Sequence, residues 1–234
     1  MKALIFAAGL GERMRPLTNH TPKPLLVAGG KPLIVWHLER LAELGVEDVV
    51  INTSWLAEQF PQTLGNGSRW GLRLHYVYEG ETPLETGGGM LNALSSLGDA
   101  PFLAINGDIW CDFDFRTLPQ SLNGEAHLVL VNNPTHHPNG DFALMLNGQL
   151  LAEGASQFTF AGIGMYQPAL LQNWRDVIGT AAGADETPPR FKLAPLLRAA
   201  MARAAVSGQL HNGHWTDVGT PERLSQLNRE LSAS

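Results

Sequence analysis

The sequence predicts an α/β protein, a mostly parallel sheet flanked by helices that continues into a smaller, more antiparallel lobe. Three observations carry this expectation. Apolar runs alternate with segments of helical periodicity through the first half of the chain. The second half breaks into short strands joined by turn-rich segments. With 234 residues, 44% hydrophobic and 16% charged, the chain is long and apolar enough to bury a sizeable core.

Residues 2–8 form a continuous apolar run, as expected of a strand buried on both faces. A loop rich in Gly and Pro follows over 9–32. Residues 33–44 place Ile34, Leu38 and Leu41 at helical spacing, with Gly45 as a C-terminal cap; Trp36 and His37 on this helix suit core packing and an interface equally. Residues 46–52 read as a second strand, 55–64 as a helix and 72–78 as a third strand. A helix over 88–97 is entered through a glycine run, and a fourth strand over 102–106 ends at Gly107-Asp108. Strands separated by helices imply right-handed crossovers and parallel pairing. Further on, 126–131, 142–146 and 158–166 read as strands, joined by turns such as Pro138-Asn139-Gly140-Asp141 and Asn147-Gly148. Helices are expected over 168–177, 193–205 and 221–231, and a mobile loop over 179–189. No internal repeat is present, and no hexapeptide pattern that would append a parallel β-helix. In open sheets of this kind ligands bind at the carboxyl ends of strands, where strand order reverses. Gly9 and Asp108 both lie just past such ends.

Charge and cysteine content narrow the partners. Sixteen Lys and Arg against 22 Asp and Glu give a net charge of -6, opposite in sign to a generic binder of nucleic acid or anionic membrane. The single cysteine, Cys111, precludes an internal disulfide. No apolar run reaches the roughly 20 residues that span a bilayer. The N-terminus carries a cleavage-like Ala7-Ala8-Gly9, but its apolar run is short and Glu12, Arg13 and Arg15 follow at once. A buried strand entering a glycine loop explains it better than a leader, and a cytosolic location is expected.

Residues 7–25 read AAGLGERMRPLTNHTPKPL. Gly9 and Gly11 permit positive φ and close backbone approach, and amides in such a turn form an anion-binding concavity. Arg13 adds a planar fork suited to phosphate oxygens. Lys23, one of only four lysines, sits between Pro22 and Pro24, which are expected to hold the backbone extended and aim the side chain. A dinucleotide-binding loop also opens this way, but its third glycine is replaced by Met14 and Pro16 stands where its helix would run. A Walker-type loop needs Gly-Lys-Ser/Thr, which is absent. Asp108, at the carboxyl edge of a strand, and Asp217, after Trp215-Thr216, are carboxylates of the kind that hold Mg²⁺ together with substrate phosphates; each alone would more often be a turn or capping residue. His136-His137 and His211-x-x-His214 lack the cysteine partners or helical spacing of a zinc site.

The stretch G-L-G-E-R-M-R-P-L-T…T-P-K-P-L resembles the signature of the sugar-1-phosphate nucleotidyltransferases. Asn106-Gly107-Asp108 and Trp215-x-Asp217-x-Gly219-Thr220 are further family features, in the right order. The resemblance covers the whole chain. It implies a Rossmann-like mixed sheet with a sugar-binding lobe in one domain, residues 1–122 binding nucleotide and 123–234 carrying the sugar site and C-terminal helices. It implies catalytic Arg13 and Lys23, Mg²⁺ on Asp108 and Asp217, and nucleotide contacts from Gly9, Gly11, Glu12, Gly80, Thr86, Gly87 and Asn106. Glu79-Gly80 lies where the family approaches the base. The run Glu85-Thr86-Gly87-Gly88-Gly89 is similar to that of the N-acetylmuramate α-1-phosphate uridylyltransferases of cell-wall recycling, which pair UTP with a sugar 1-phosphate. Asp141 and Glu153 match sugar-binding positions, and Gly162 offers bare backbone to the pocket. Several relatives place a lysine soon after that glutamate; here Gly154-Ala155-Ser156 follows, and Lys192 is the lysine left to meet the sugar phosphate or a lactyl carboxylate. Mannose 1-phosphate with GTP, glucose 1-phosphate with UTP or dTTP, and a non-catalytic nucleotide-binding regulator are the competing readings. The first two are disfavoured by the glycine run, the last by the retained Arg13, Lys23, Asp108 and Asp217.

Overall fold

The computed structural model describes residues 1–232. In chain order the elements are β1 (Lys2–Phe6), β2 (Val27–Ala28), β3 (Lys31–Pro32), α1 (Leu33–Glu43), β4 (Asp48–Thr53), α2 (Gln59–Leu64), β5 (Arg73–Tyr78), α3 (Glu85–Leu97), β6 (Phe102–Asn106), β7 (Ile109–Cys111), β8 (Ala126–Val131), β9 (Phe142–Leu144), β10 (Leu150–Leu151), β11 (Gln157–Tyr166), α4 (Trp174–Ile178), α5 (Ala194–Ala202), β12 (Val206–His211), β13 (Trp215–Asp217) and α6 (Pro221–Ser232).

The main sheet runs β5-β4-β1-β6-β11-β8-β12. β5, β4, β1 and β6 are parallel, β11 is antiparallel to both β6 and β8, and β12 returns parallel to β8. Strand order reverses at β1, which lies between β4 and β6, so the loops leaving β1 and β6 diverge at the carboxyl edge and open a crevice. β11 pairs with β6 only from Ile163 to Tyr166. Its first residues, Gln157 and Phe158, therefore project past that edge and pair with β9, which pairs with β10. This overhang carries the second lobe to the same side as the crevice.

Alternation along β1 builds two cores. Ala3 and Ile5 pack with Ile34, Leu38 and Leu41 of α1 on one face. Leu4 packs with Met90, Ala93 and Leu97 of α3, and the same cluster continues into α5, on the other. All three β1 residues are fully buried, each large one contributing about 1.5–3 kcal/mol of transfer free energy. A third, smaller cluster joins Met14 of the glycine loop to Val218, Leu224 and Leu227 near the C-terminus. Met14 is the residue that breaks the dinucleotide-binding pattern, and its side chain is an anchor.

Several expectations change at their edges for identifiable reasons. The helix expected over 55–64 begins at Gln59, because Leu56 has φ 50. The helix expected over 168–177 divides into a 3₁₀ turn, Pro168–Leu171, and α4. The helix expected over 193–205 stops at Ala202, with Ala204 at φ 57, and the chain turns into β12. β12 was not expected: Val206-Ser207-Gly208-Gln209-Leu210-His211 has no apolar run, and its pairing with β8 makes it a strand. Residues 179–189, expected as a mobile loop, form turns that are mostly exposed, with Ala184 buried and the Arg190 amide donating to the Gly183 carbonyl. Trp36 and His37 are packing residues. The Trp36 indole donates to the Ala28 carbonyl, and buried His37 places Nε2 2.9 Å from the Ile109 carbonyl.

Two outcomes follow from this packing. Met14→Ala should cost about 2–3 kcal/mol, read as a lowered urea midpoint; an unchanged midpoint would remove its anchoring role. Burial pushes the His37 imidazole down to about 4, so the unfolded chain, titrating near 6.5, takes up the proton first. Stability held above pH 6.5 should therefore fall as pH drops toward 4, by about 2 kcal/mol between pH 7 and pH 4.5. His37→Gln keeps a donor for Ile109 and should flatten that pH dependence in denaturant titrations.

Candidate functional site

A cleft of about 690 Å³ opens at the carboxyl edge of β1 and β6. Its floor is residues 6–14, one wall is Lys23, Pro24, Asn106, Asp108 and Gly219, and the other is Asn52, Glu79, Thr82, Pro83, Glu85, Thr86 and Arg190.

The glycine loop has the turn chemistry its sequence suggests. Gly11 is left-handed, φ 65, and a Cβ there would lie 2.8 Å from Thr18 Cγ2. Buried Thr18 returns its hydroxyl to the Gly11 carbonyl at 2.7 Å. A Cβ at Gly9 would meet nothing within 4 Å, so the bare backbone there faces open space. Glu12 and Arg13 lie on a 3₁₀ turn, exposed and lining the cleft. Arg13 has no hydrogen-bond or ion-pair partner among the described residues, which leaves its guanidinium available to an anion.

Lys23 differs from expectation. Pro22 is extended, but Lys23 starts a 3₁₀ turn, closed by hydrogen bonds from Leu25 to Pro22 and from Leu26 to Lys23. The turn buries the lysine stem and brings Nζ to 2.5 Å from Asp108 Oδ2. Asp108 and Asp217 are neighbours: Asp217 pairs with Ile109 in the β13–β7 ladder, and the Val218 amide donates to the Asp108 carbonyl at 2.8 Å. Asp217 has its own cation, Arg223, with Nη1 2.5 Å from Oδ1, and His136 Nε2 lies 2.9 Å from the same oxygen.

These two carboxylates fit a hard cation that shares its shell with phosphates. Their backbones are joined by the Val218 amide and the Asp108 carbonyl, each uses one side-chain oxygen for an internal partner, and Asp108 Oδ1 and Asp217 Oδ2 accept no hydrogen bond among the described residues. No cluster of three or more His, Cys, Asp or Glu among the described residues could hold an ion from protein atoms alone. Mg²⁺, which keeps waters and substrate oxygens in its shell, suits two such ligands.

The opposite wall is a chain of buried polar groups. The Ala7 amide donates to Asn52 Oδ1, Asn52 Nδ2 donates to Glu79 Oε1, and the Leu84 amide donates to Glu79 Oε2, at 2.7, 2.5 and 2.8 Å. Burial raises the Glu79 carboxyl above its usual range, partly offset by the Leu84 and Asn52 donors. The network ties the glycine loop to the entrance of α3.

The glycine run has a different role from the one expected. The Gly87 and Gly88 amides both donate to the Phe191 carbonyl. A Cβ on Gly87 would lie 2.6 Å from the Phe191 ring, one on Gly88 2.4 Å from the Pro189 carbonyl, and one on Gly89 2.4 Å from Glu79 Oε1. The run is bare to admit these neighbours, and Gly87 does not line the cleft. Thr86 does, and its hydroxyl accepts from the Leu193 amide. Gly80 stands just outside, its carbonyl accepting from Ser54.

Of the expected residues, Gly9, Gly11, Glu12, Arg13, Lys23, Thr86, Asn106 and Asp108 line one cleft. Asp217 is not among the lining residues; its Oδ2 lies behind Gly219, 3.0 Å from where a Cβ on that residue would stand. The sugar candidates stand apart. Asp141 accepts from the Phe160 amide and lies beside His137, while Glu153 is exposed, and they flank the β9–β10 hairpin. Gly162 is bare because the Asn106 side chain fills its place, a Cβ there lying 2.7 Å from Nδ2. Lys192 is exposed and outside the lining; the cation that does line the cleft is Arg190, bidentate to Glu186. Arg190 and Arg223 are the residues that motif reading missed. A helix-starting arginine just after Asp217 was the one available signal, since a cation is unfavourable near a helix N-terminus.

The chain is 46% identical to an N-acetylmuramate α-1-phosphate uridylyltransferase of Neisseria meningitidis serogroup B, across 97% of this chain and 96% of that one. It is 32% identical to a protein of the same name from Caulobacter vibrioides, across 94% and 92%. A crystal structure assigned as a glucose-1-phosphate thymidylyltransferase from Bacillus anthracis, in complex with sucrose, superposes with a TM-score of 0.83 at 20% identity, covering 99% of this chain and 95% of that one, and shares the fold. Residues 2–234 match the nucleotidyl transferase family, and the chain belongs to it.

Proposed function

We propose that this protein transfers UMP from UTP to N-acetylmuramic acid α-1-phosphate, giving UDP-N-acetylmuramic acid and pyrophosphate. The observation that carries this reading is one cleft gathering a glycine loop, an unpaired arginine and a lysine–aspartate pair, in a chain like the meningococcal uridylyltransferase along nearly its whole length.

A sugar phosphate, with a second pKa of about 6, is already ionised at neutral pH and needs no general base. Its oxygen attacks the α-phosphorus of UTP in line; a new P–O bond forms, the bond to the bridging oxygen breaks, and pyrophosphate leaves with that electron pair. The loop backbone around Gly9 and Gly11 cradles phosphate oxygens. Arg13 and Lys23 draw charge from them as it shifts to the leaving group. Two unit charges 4 Å apart repel by about 4 kcal/mol at an effective dielectric of 20, so bringing two polyanions together needs such compensation. Asp108 and Asp217 would hold Mg²⁺, which when bound supplies charge neutralisation and Lewis-acid polarisation of the phosphoryl oxygens. Residues 1–122 take the nucleotide. Residues 123–234 take the sugar phosphate, with Asp141 and Glu153 at its hydroxyls and Lys192 or Arg190 toward its acidic substituents. No helix among the described residues is long and apolar enough to cross a membrane, and a cytoplasmic setting suits a UTP-consuming step of cell-wall recycling.

Pyrophosphate release should be greatest with UTP and N-acetylmuramic acid α-1-phosphate, against GTP with mannose 1-phosphate and UTP or dTTP with glucose 1-phosphate. It should vanish on chelation of divalent ions. Preference for another pair would reassign the substrate, and no release from any pair would leave a nucleotide-binding protein. Lys23→Ala should lower kcat/KM on the order of 10²–10³-fold with an unchanged far-UV spectrum; near-normal turnover would exclude Lys23 from the phosphate site.

A further inference from the structure

We propose that Arg223 is an internal counter-cation for Asp217, so that Arg223 and a divalent ion compete for this carboxylate. The inference rests on the reading of Asp217 as a metal ligand.

Four features lead to it. Arg223 Nη1 lies 2.5 Å from Asp217 Oδ1, with both side chains mostly shielded, at 17% and 25% exposure. Arg223 is the third residue of α6, where the helix dipole disfavours a cation, so local helix energetics do not explain it. Gly219 lines the cleft and is bare at the point the guanidinium occupies: a Cβ there would lie 2.1 Å from Arg223 Nη2 and 3.0 Å from Asp217 Oδ2. His136, from the connection between β8 and β9, closes the other side, with Nε2 2.6 Å from Arg223 Nη1. The glycine of Trp-x-Asp-x-Gly-Thr thus makes room for a side chain that neutralises the aspartate of the same motif.

A divalent ion at Asp217 must displace this guanidinium or lie against it, and either weakens binding of the bare ion. An ion arriving with a triphosphate brings anionic oxygens that can receive the released guanidinium, so the pair favours the metal–nucleotide complex over the free metal.

Binding of Mn²⁺ alone, followed by the electron paramagnetic resonance of the free ion, tests this without turnover. Arg223→Met should tighten Mn²⁺ binding by about tenfold or more, as removal of a unit charge a few ångströms from the ion implies. The gain should disappear in the Arg223→Met/Asp217→Asn double variant. Arg223→Gln, which removes the charge and keeps a hydrogen-bonding side chain, should shift affinity in the same direction and serves if Arg223→Met does not fold. Unchanged or weaker binding in the folded Arg223→Met variant, or in Arg223→Gln if that variant does not fold, would overturn the proposal, as would a gain that survives Asp217→Asn. If Asp217→Asn leaves Mn²⁺ binding unaltered even with UTP present, the metal reading of Asp217 fails and the competition with it. If Asp217→Asn weakens binding while Arg223→Met and Arg223→Gln change nothing, the competition alone fails.

Discussion

Asp108, in the turn between β6 and β7, and Asp217, at the end of β13, are held by one backbone hydrogen bond from the Val218 amide to the Asp108 carbonyl, in a chain with a net charge of -6. Each is neutralised from elsewhere, Asp108 by Lys23 of the glycine loop and Asp217 by Arg223 of α6. Much of the molecule arranges this contact. The 3₁₀ turn at Lys23 delivers the lysine, the third hydrophobic cluster joins Met14 to Val218, Leu224 and Leu227, and Gly219 leaves room for the arginine. Two like charges at a strand edge would repel, and their pairing with cations lets the edge exist before any phosphate or metal arrives.

The far wall solves a different problem, that of burying a carboxyl group. Glu79 is 5% exposed, and both of its oxygens accept hydrogen bonds, from Asn52 and from the Leu84 amide. Asn52 also holds the Ala7 amide, so one asparagine joins the start of the glycine loop to the base of α3. The bare Gly89 makes the space this network occupies, and Gly87 and Gly88 let residues 189–191 lie against the helix. Phe191, stacked on Trp174 at 4.6 Å, fixes that segment and places Arg190 at the cleft. Both walls are therefore held by contacts within the protein, a form of preorganisation that leaves substrate binding less ordering to do.

Local signals were sufficient for the fold class. Continuous apolar runs mark strands buried on both faces, and β1, β4 and β6 appear within a residue or two of where periodicity puts them. Glycine at 9 and 11, the proline-flanked Lys23 and the strand-end Asp108 were likewise legible, because turn chemistry and strand ends are properties of neighbouring residues. β12 was not, since a polar, glycine-containing segment becomes a strand only through its partner β8.

What tertiary structure alone decided is who pairs with whom. Lys23 and Asp108 are 85 residues apart, and both read as free ligand groups in sequence, yet folding makes each the other's counter-ion. Arg190 lines the cleft and Arg223 reaches Asp217 because distant segments are packed together there. The triple glycine reads as a ligand platform and proves to be clearance for Phe191, Pro189 and Glu79. The physical reason is range: periodicity and turn propensity act over a few residues, whereas charge compensation and steric clearance depend on distances that only the assembled sheet sets.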